Sequence, residues 1–225
     1  MIKDANYDKS KYELQMQGKW LKEVHDILIK HDIKPVLSDG VVLGIVREHD
    51  FVKWDFDADM FVESQAVMGK EDALVKDFQK AGFIVVKVRH GIDDWKVAVE
   101  KEWYHIDVRA FKRVGDMHIN TVITDNERYS VYQMPCRFMD NLQEVTFYDT
   151  KYFIPEDADG YLTHLYGDWR TPVRSCSHNV YLNTAFKQNY KMINGEWVFY
   201  DKSMDAKRLN AKQARKDIKR RKGLK

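Results

Sequence analysis

Asp55, Asp57 and Asp59 stand at every second position near the end of residues 37–62, LSDGVVLGIVREHDFVKWDFDADMFV. In extended backbone alternate side chains share a face, so a strand here crowds three carboxylates onto one side. Such charges repel, and burying a carboxylate is costly unless it is paired or coordinates a metal. A divalent cation would accept all three. The competing reading is a solvated acidic turn, but Trp54, Phe56, Met60, Phe61 and Val62 surround the acids with core-forming side chains. A further carboxylate, Asp107, follows 48 residues after Asp59 in the apolar stretch 104–111, YHIDVRAF. Two carboxylates on one strand and a third on its neighbour make an oxygen-donor site for one or two Mg²⁺ ions, with Mn²⁺ as the alternative. Such ions bridge phosphate oxygens and stabilise the leaving group of an in-line phosphoryl transfer. Asp57 and Asp59 fit the pair best, because Phe56, Ala58 and Met60 alternate on the other face. Asp55 is then an auxiliary acid.

The elements that must position these residues are legible from periodicity. Residues 9–31 repeat Tyr12, Met16, Trp20, Val24, Ile27 and Leu28 at helical spacing, predicting an amphipathic helix over one sheet face. His25 and His31 lie among its charged residues and are expected to be solvated. Residues 41–46 are apolar, 47–53 a polar connection, and 54–62 a strand. Gly40 and Gly44 would let backbone N–H groups approach a phosphate. A second helix is expected over 70–81 with Gly82 as its stop, then strands over 83–89, 95–101 and 104–111. On the last, His105 and Arg109 share the face of Asp107. His105 is a candidate proton carrier, with a structural hydrogen-bonded histidine as the blander reading. Arg89 and Lys96 are candidates for meeting a phosphate, against a solvated strand edge. Further strands are expected at 118–123, 129–133 and 144–149, a loop at 135–141, and helices ending at Gly167 and over 179–190.

The 225 residues, 44% hydrophobic and 13% aromatic, are enough for one packed core and exclude a disordered chain. No apolar run reaches the length of a membrane span, and the chain opens on a polar segment without the pattern of a secretory leader. Cys136 and Cys176 have no metal-ligand spacing, so a reducing cytoplasm is the default location. The net charge of +2 divides unevenly: residues 202–225 hold 11 Lys and Arg against two Asp, which leaves −7 on residues 1–201. The expected organisation is a catalytic domain over 1–200 and a basic tail over 201–225.

The order of elements resembles the nucleotidyltransferase fold, and more specifically the LicD/fukutin-related family. Gly40, Gly44, Arg47, Phe51, Trp54, Asp55, Asp57 and Asp59 fall in register with that family's pattern G-T-L-L-G-x-x-R followed by W-D-x-D-x-D. A second block, IPEDADGYLTHLYGDWRTP over 154–172, matches its proline, tyrosine-leucine helix and closing tyrosine-glycine-aspartate-tryptophan. The resemblance covers roughly residues 20–172 and implies an α+β fold, a mixed β-sheet flanked by helices with a helical C-terminal part. It also implies transfer of a phosphorylated group, phosphocholine- or polyol-phosphate-like, from a CDP-linked or NTP-type nucleotide donor to a glycan or related hydroxyl. By analogy Asp57 and Asp59 hold Mg²⁺, and Asp107 completes the metal site or acts as base. Arg47 contacts donor phosphates. Gly40, Gly44, Ser38, Trp54 and Trp169 line the substrate side. Val41 stands where threonine is usual, removing a hydroxyl that could face the phosphate, with Ser38 nearby as a substitute.

The basic tail carries a rival reading. Its charge density suits a nucleic acid or an anionic surface, although no aromatics interleave for base stacking. A nucleotidyltransferase acting on RNA or protein, or a nucleic-acid-binding protein on an inactive scaffold, would use it.

Overall fold

A computed structural model describes residues 6–90, 95–123, 129–174, 189–193 and 196–200. The elements in chain order are α1 (Lys11–Lys30), β1 (Val36–Ser38), α2 (Asp39–Leu43), a π-helical turn (Gly44–Glu48), β2 (Asp57–Glu63), α3 (Ser64–Val67), α4 (Glu71–Lys80), β3 (Ile84–His90), β4 (Trp95–Lys101) and β5 (Tyr104–Val114). They continue with β6 (Met117–Ile123), β7 (Tyr129–Pro135), α5 (Arg137–Asp140), β8 (Leu142–Phe147), β9 (Thr150–Pro155), α6 (Ala158–Tyr166), β10 (Asn189–Ile193) and β11 (Glu196–Tyr200). Nine strands form one mixed sheet, the α+β architecture expected. Its main path runs β3-β4-β5-β2-β1-β9-β8, and β6 and β7 extend it from β5.

The pairings that matter lie at the centre. β2 and β5 run parallel, joined by a crossover through α3, α4 and the β3–β4 hairpin. β1 is antiparallel to β2 and parallel to β9. Along β2 and β5, Ala58, Met60, Val62, Ile106, Val108 and Ala110 are buried in one cluster with Trp20, Leu21, Val24 and Leu28 of α1 and Leu74 and Phe78 of α4. That apolar contact fixes the register, since a one-residue slip would drive the carboxylates into it.

α1 begins with a capping box, Ser10 and Glu13 satisfying each other's backbone N–H. Lys9 precedes the helix rather than opening it. The buried stripe is Leu14, Gln17, Trp20, Leu21, Val24, His25 and Leu28, while Tyr12 points outward. His25, expected to be solvated, is buried edge-on to Tyr152, with ring centroids 4.9 Å apart. β9 was not foreseen. It follows a two-residue turn at Tyr148 and Asp149, both with positive φ as such a hairpin demands, so the strand expected at 144–149 ends at Phe147. Short α5 occupies the expected loop at 135–141. Of the helix expected over 179–190, residues 179–188 lie outside the described residues, and Asn189 and Tyr190 begin strand β10 instead. The tail 201–225 also lies outside them. Among the described residues no helix is long and apolar enough to cross a membrane.

Candidate active site

β2 begins at Asp57, not Trp54, so period-two reasoning holds for Asp57 and Asp59 and fails for Asp55, which sits in the preceding loop. Register then assembles the site. Asp59 pairs with Asp107 across β2 and β5, Asp57 with His105, and Phe61 with Arg109. On the outer side of β5, Lys96 pairs with Arg109 and Ala98 with Asp107. On the far side of β2, Ser38 pairs with Asp59. Cross-strand partners share a face, so one side of the sheet centre carries Asp57, Asp59, His105, Asp107, Arg109 and Lys96.

Arg109 organises that row. Its Nη1 donates to Asp39 Oδ2 at 3.1 Å, and its Nη2 meets Asp59 Oδ1 at 2.7 Å and Asp107 Oδ2 at 3.5 Å. The guanidinium also lies 5.1 Å from the Tyr132 ring centre. Lys96 Nζ donates to Asp107 Oδ2 at 2.6 Å, and His105 bridges Asp107 at 3.2 Å and Glu100 at 3.0 Å. Burial pushes the Asp107 carboxyl up, but the His105 hydrogen bond and the charges of Arg109 and Lys96 outweigh it and hold the group well below the usual range. Asp59 differs: burial dominates and raises it well above that range despite Arg109, with Asp39, Asp107 and Asp57 adding repulsion. The hydrogen bond to Asp107 raises His105 against its burial. Burial and the neighbouring Arg109 lower Lys96.

Asp39 was missed in the sequence. Its backbone is left-handed, φ +48°, its N–H donates to the Tyr161 hydroxyl at 3.1 Å, and its carboxylate accepts from Tyr132 at 2.5 Å and Tyr161 at 3.3 Å. Burial raises its proton affinity, against the pull of Arg109 and the two tyrosines. A strained backbone on an acid just before Gly40 is the kind of departure found at functional sites.

The other end of the row is Asp55 with Asp57. Burial, and then the charge and hydrogen bond of Asp57, raise Asp55 well above the usual range. Gly40 makes room for it: a Cβ there would lie 2.1 Å from Asp55 Oδ2. Lys9 is buried beside this pair, with Nζ donating to Gln17 Oε1 and to the Asp55 carbonyl. Burial lowers Lys9 to about 8 while Asp55 and Asp57 pull upward.

The substrate-side residues divide. Ser38 is fully buried, and its Oγ has no hydrogen-bond partner among the described residues. Gly44 serves packing: a Cβ would meet the Asp50 carbonyl at 2.5 Å. Val41, at the position where the family's threonine is expected, is buried in the core cluster. Arg47 and Trp169 are brought together, Arg47 Nη1 donating to the Trp169 carbonyl at 2.9 Å while Nε pairs with Glu48 at 2.7 Å. Trp54 carries the Arg174 guanidinium 4.2 Å from its ring centre. The side chain of Arg89 lies outside the described residues.

Among the described residues no three His, Cys, Asp or Glu side chains are gathered as a ready metal shell. Arg109 and Lys96 already neutralise the Asp107 end. The donor chemistry nonetheless suits a hard cation at the Asp55–Asp57–Asp59 end, where burial raises the proton affinity of Asp55 and Asp59 and the neighbouring carboxylates repel one another.

The family model described as LicD/FKTN/FKRP, nucleotidyltransferase domain, matches residues 32–157, and the chain belongs to that family. Among curated proteins none matches the chain. The match spans β1 to Asp157 and so contains Asp39, Asp55, Asp57, Asp59, Asp107 and Arg109.

Proposed function

We propose that this family member is a Mg²⁺-dependent transferase that moves a phosphorylated alcohol, phosphocholine- or polyol-phosphate-like, from a CDP-type donor to a glycan hydroxyl. Family membership points to a transferase; the donor, the acceptor and the metal belong to this reading. The observation that carries it is the in-register row Asp57, Asp59 and Asp107, flanked on the same face by Arg109 and Lys96. Carboxylates and fixed cations side by side suit a metal–phosphate ligand, which brings both signs of charge.

In the transfer the acceptor oxygen bonds to phosphorus and the bond to the CMP oxygen breaks. CMP leaves with the electron pair, and the hydroxyl proton passes to a carboxylate of the row. Asp57 and Asp59 would hold Mg²⁺, with Asp107 beside them; when bound it neutralises charge on the phosphoryl oxygens. Asp107 is held ionised, so it anchors Lys96 and His105 better than it accepts a proton. Lys96 and Arg109 place positive charge where donor phosphates can be held.

Thermal denaturation with CDP-, UDP- and NTP-type ligands, with and without Mg²⁺, tests the reading, because a ligand of the native state raises the melting temperature by mass action. A Mg²⁺-dependent rise with the cytidine ligands is expected, lost in folded Asp57→Asn and Asp59→Asn variants. Undiminished shifts and transfer in both variants would refute it, as would the absence of a shift with any nucleotide.

A further inference from the structure

The residues just ahead of α1 grip the loop that leads into β2. The Lys9 N–H donates to the Lys53 carbonyl at 3.0 Å. Asp8 pairs with Arg174 at 2.8 Å, and that guanidinium stacks 4.2 Å from the Trp54 ring centre. Lys9 Nζ donates to the Asp55 carbonyl, and the Tyr7 ring lies 5.8 Å from that of Phe56. Each residue from Lys53 to Phe56 is thus held directly by residues 7–9 or through Arg174.

Lys9 is only 3% exposed, although lysine is almost never fully buried unless paired. Its ammonium lies 5.9 Å from the Phe51 ring centre and 5.6 Å from that of Phe56. It is anchored on the Asp55 backbone beside the half-buried carboxylates of Asp55 and Asp57, which repel each other. The cations of β4 and β5 serve the opposite end, bonded to Asp39, Asp59 and Asp107.

We propose that Lys9 is a positioning residue of the active site: a tethered positive charge, delivered by the segment before α1, that holds Asp55 and the loop into β2 so that Asp57 enters the carboxylate row correctly placed. The proposal rests on that row being the active site, but its test does not require turnover. Lys9 lies ahead of residues 32–157, which match the family model.

The experiment is a charge-coupling cycle on the full chain in EDTA, comparing wild type, Lys9→Met, Asp55→Asn and the double variant by thermal denaturation. Methionine keeps most of the apolar stem against Phe51 and Phe56 and removes the charge. Lys9→Met should lower the melting temperature by roughly 5–10 °C, the expected size for removing a buried ammonium with its two hydrogen bonds and leaving the half-buried Asp55 without its neighbouring cation. Adding Asp55→Asn should restore at least half of that loss, because the group left unpaired is then neutral. If Lys9→Met alone does not fold, recovery of a folded double variant is the same positive result. Simple additivity of the two substitutions, or a double variant no better than Lys9→Met, overturns the proposal. A nucleotide screen that fails on wild type refutes the transferase reading without touching this coupling.

Discussion

Replacing Arg109 with methionine removes the cation shared by Asp39, Asp59 and Asp107 while roughly preserving side-chain volume. Deleting one partner of a buried ion pair costs about 3–5 kcal/mol, because the remaining charge stays desolvated. Against a total stability of about 5–15 kcal/mol for a domain, that loss is severe. The pH dependence separates charge from packing. Asp39 and Asp59 already have folded-state pKa values raised above 3.8 by burial, and Arg109 is the largest opposing influence on both. A group raised on folding contributes stability that is complete below its unfolded pKa and lost as pH rises through its folded pKa. Without Arg109 both values climb further, so the variant is weakest near neutrality and regains stability on acidification. Asp107 behaves oppositely: its depressed pKa contributes stability above 3.8 that is lost as pH falls, and removing Arg109 diminishes that contribution. The Asp39 and Asp59 effects make the gap between wild type and variant widest at about pH 8 and narrower toward about pH 5, whereas the Asp107 effect is constant over that range and fades only in stronger acid. Urea unfolding in EDTA, followed by circular dichroism at several pH values, measures it. A gap of equal size at both ends would refute the ionic account and leave Arg109 as packing.

Two glycines should separate stability from site geometry. Gly44→Ala drives a Cβ to 2.5 Å from the Asp50 carbonyl and 3.0 Å from the Val52 nitrogen. Backbone cannot yield cheaply, so overpacking of about 1–3 kcal/mol should exceed the helix-propensity gain of at most about 1 kcal/mol, a net loss visible in the urea midpoint. Gly40→Ala meets a side-chain oxygen of Asp55 instead, so it should change the midpoint less and depress Mg²⁺-dependent nucleotide shifts more. Val41→Thr should lower stability by about 1–3 kcal/mol, as a buried hydroxyl without a partner does, and leave those shifts intact. A Val41→Thr protein with stronger nucleotide shifts would return that position to the phosphate side.

What the sequence discloses here follows the range of the forces involved. Asp57, Asp59 and Asp107 were legible because strand periodicity is local and an apolar partner face fixes the register. Asp55 was misplaced by the same logic, since the periodic pattern runs two residues past the point where the strand begins. Asp39 could not be found that way. Its partners Tyr132, Tyr161 and Arg109 lie 93, 122 and 70 residues further along the chain, and only the sheet topology brings them to it. Arg109 was visible as a same-face neighbour of Asp107, but pairing with three acids on three elements is a property of the assembled sheet. Lys9 reads as the first turn of a helix until the Ser10 cap places it outside. β9 was hidden because its strand pattern is brief and runs into Pro155 and the start of α6, where helix signals take over. The acids announce themselves locally, and the cations that let them be buried do not. A site of this kind is therefore read from sequence as more negative than it is, and a metal is assigned the whole charge that Arg109, Lys96 and Lys9 already share.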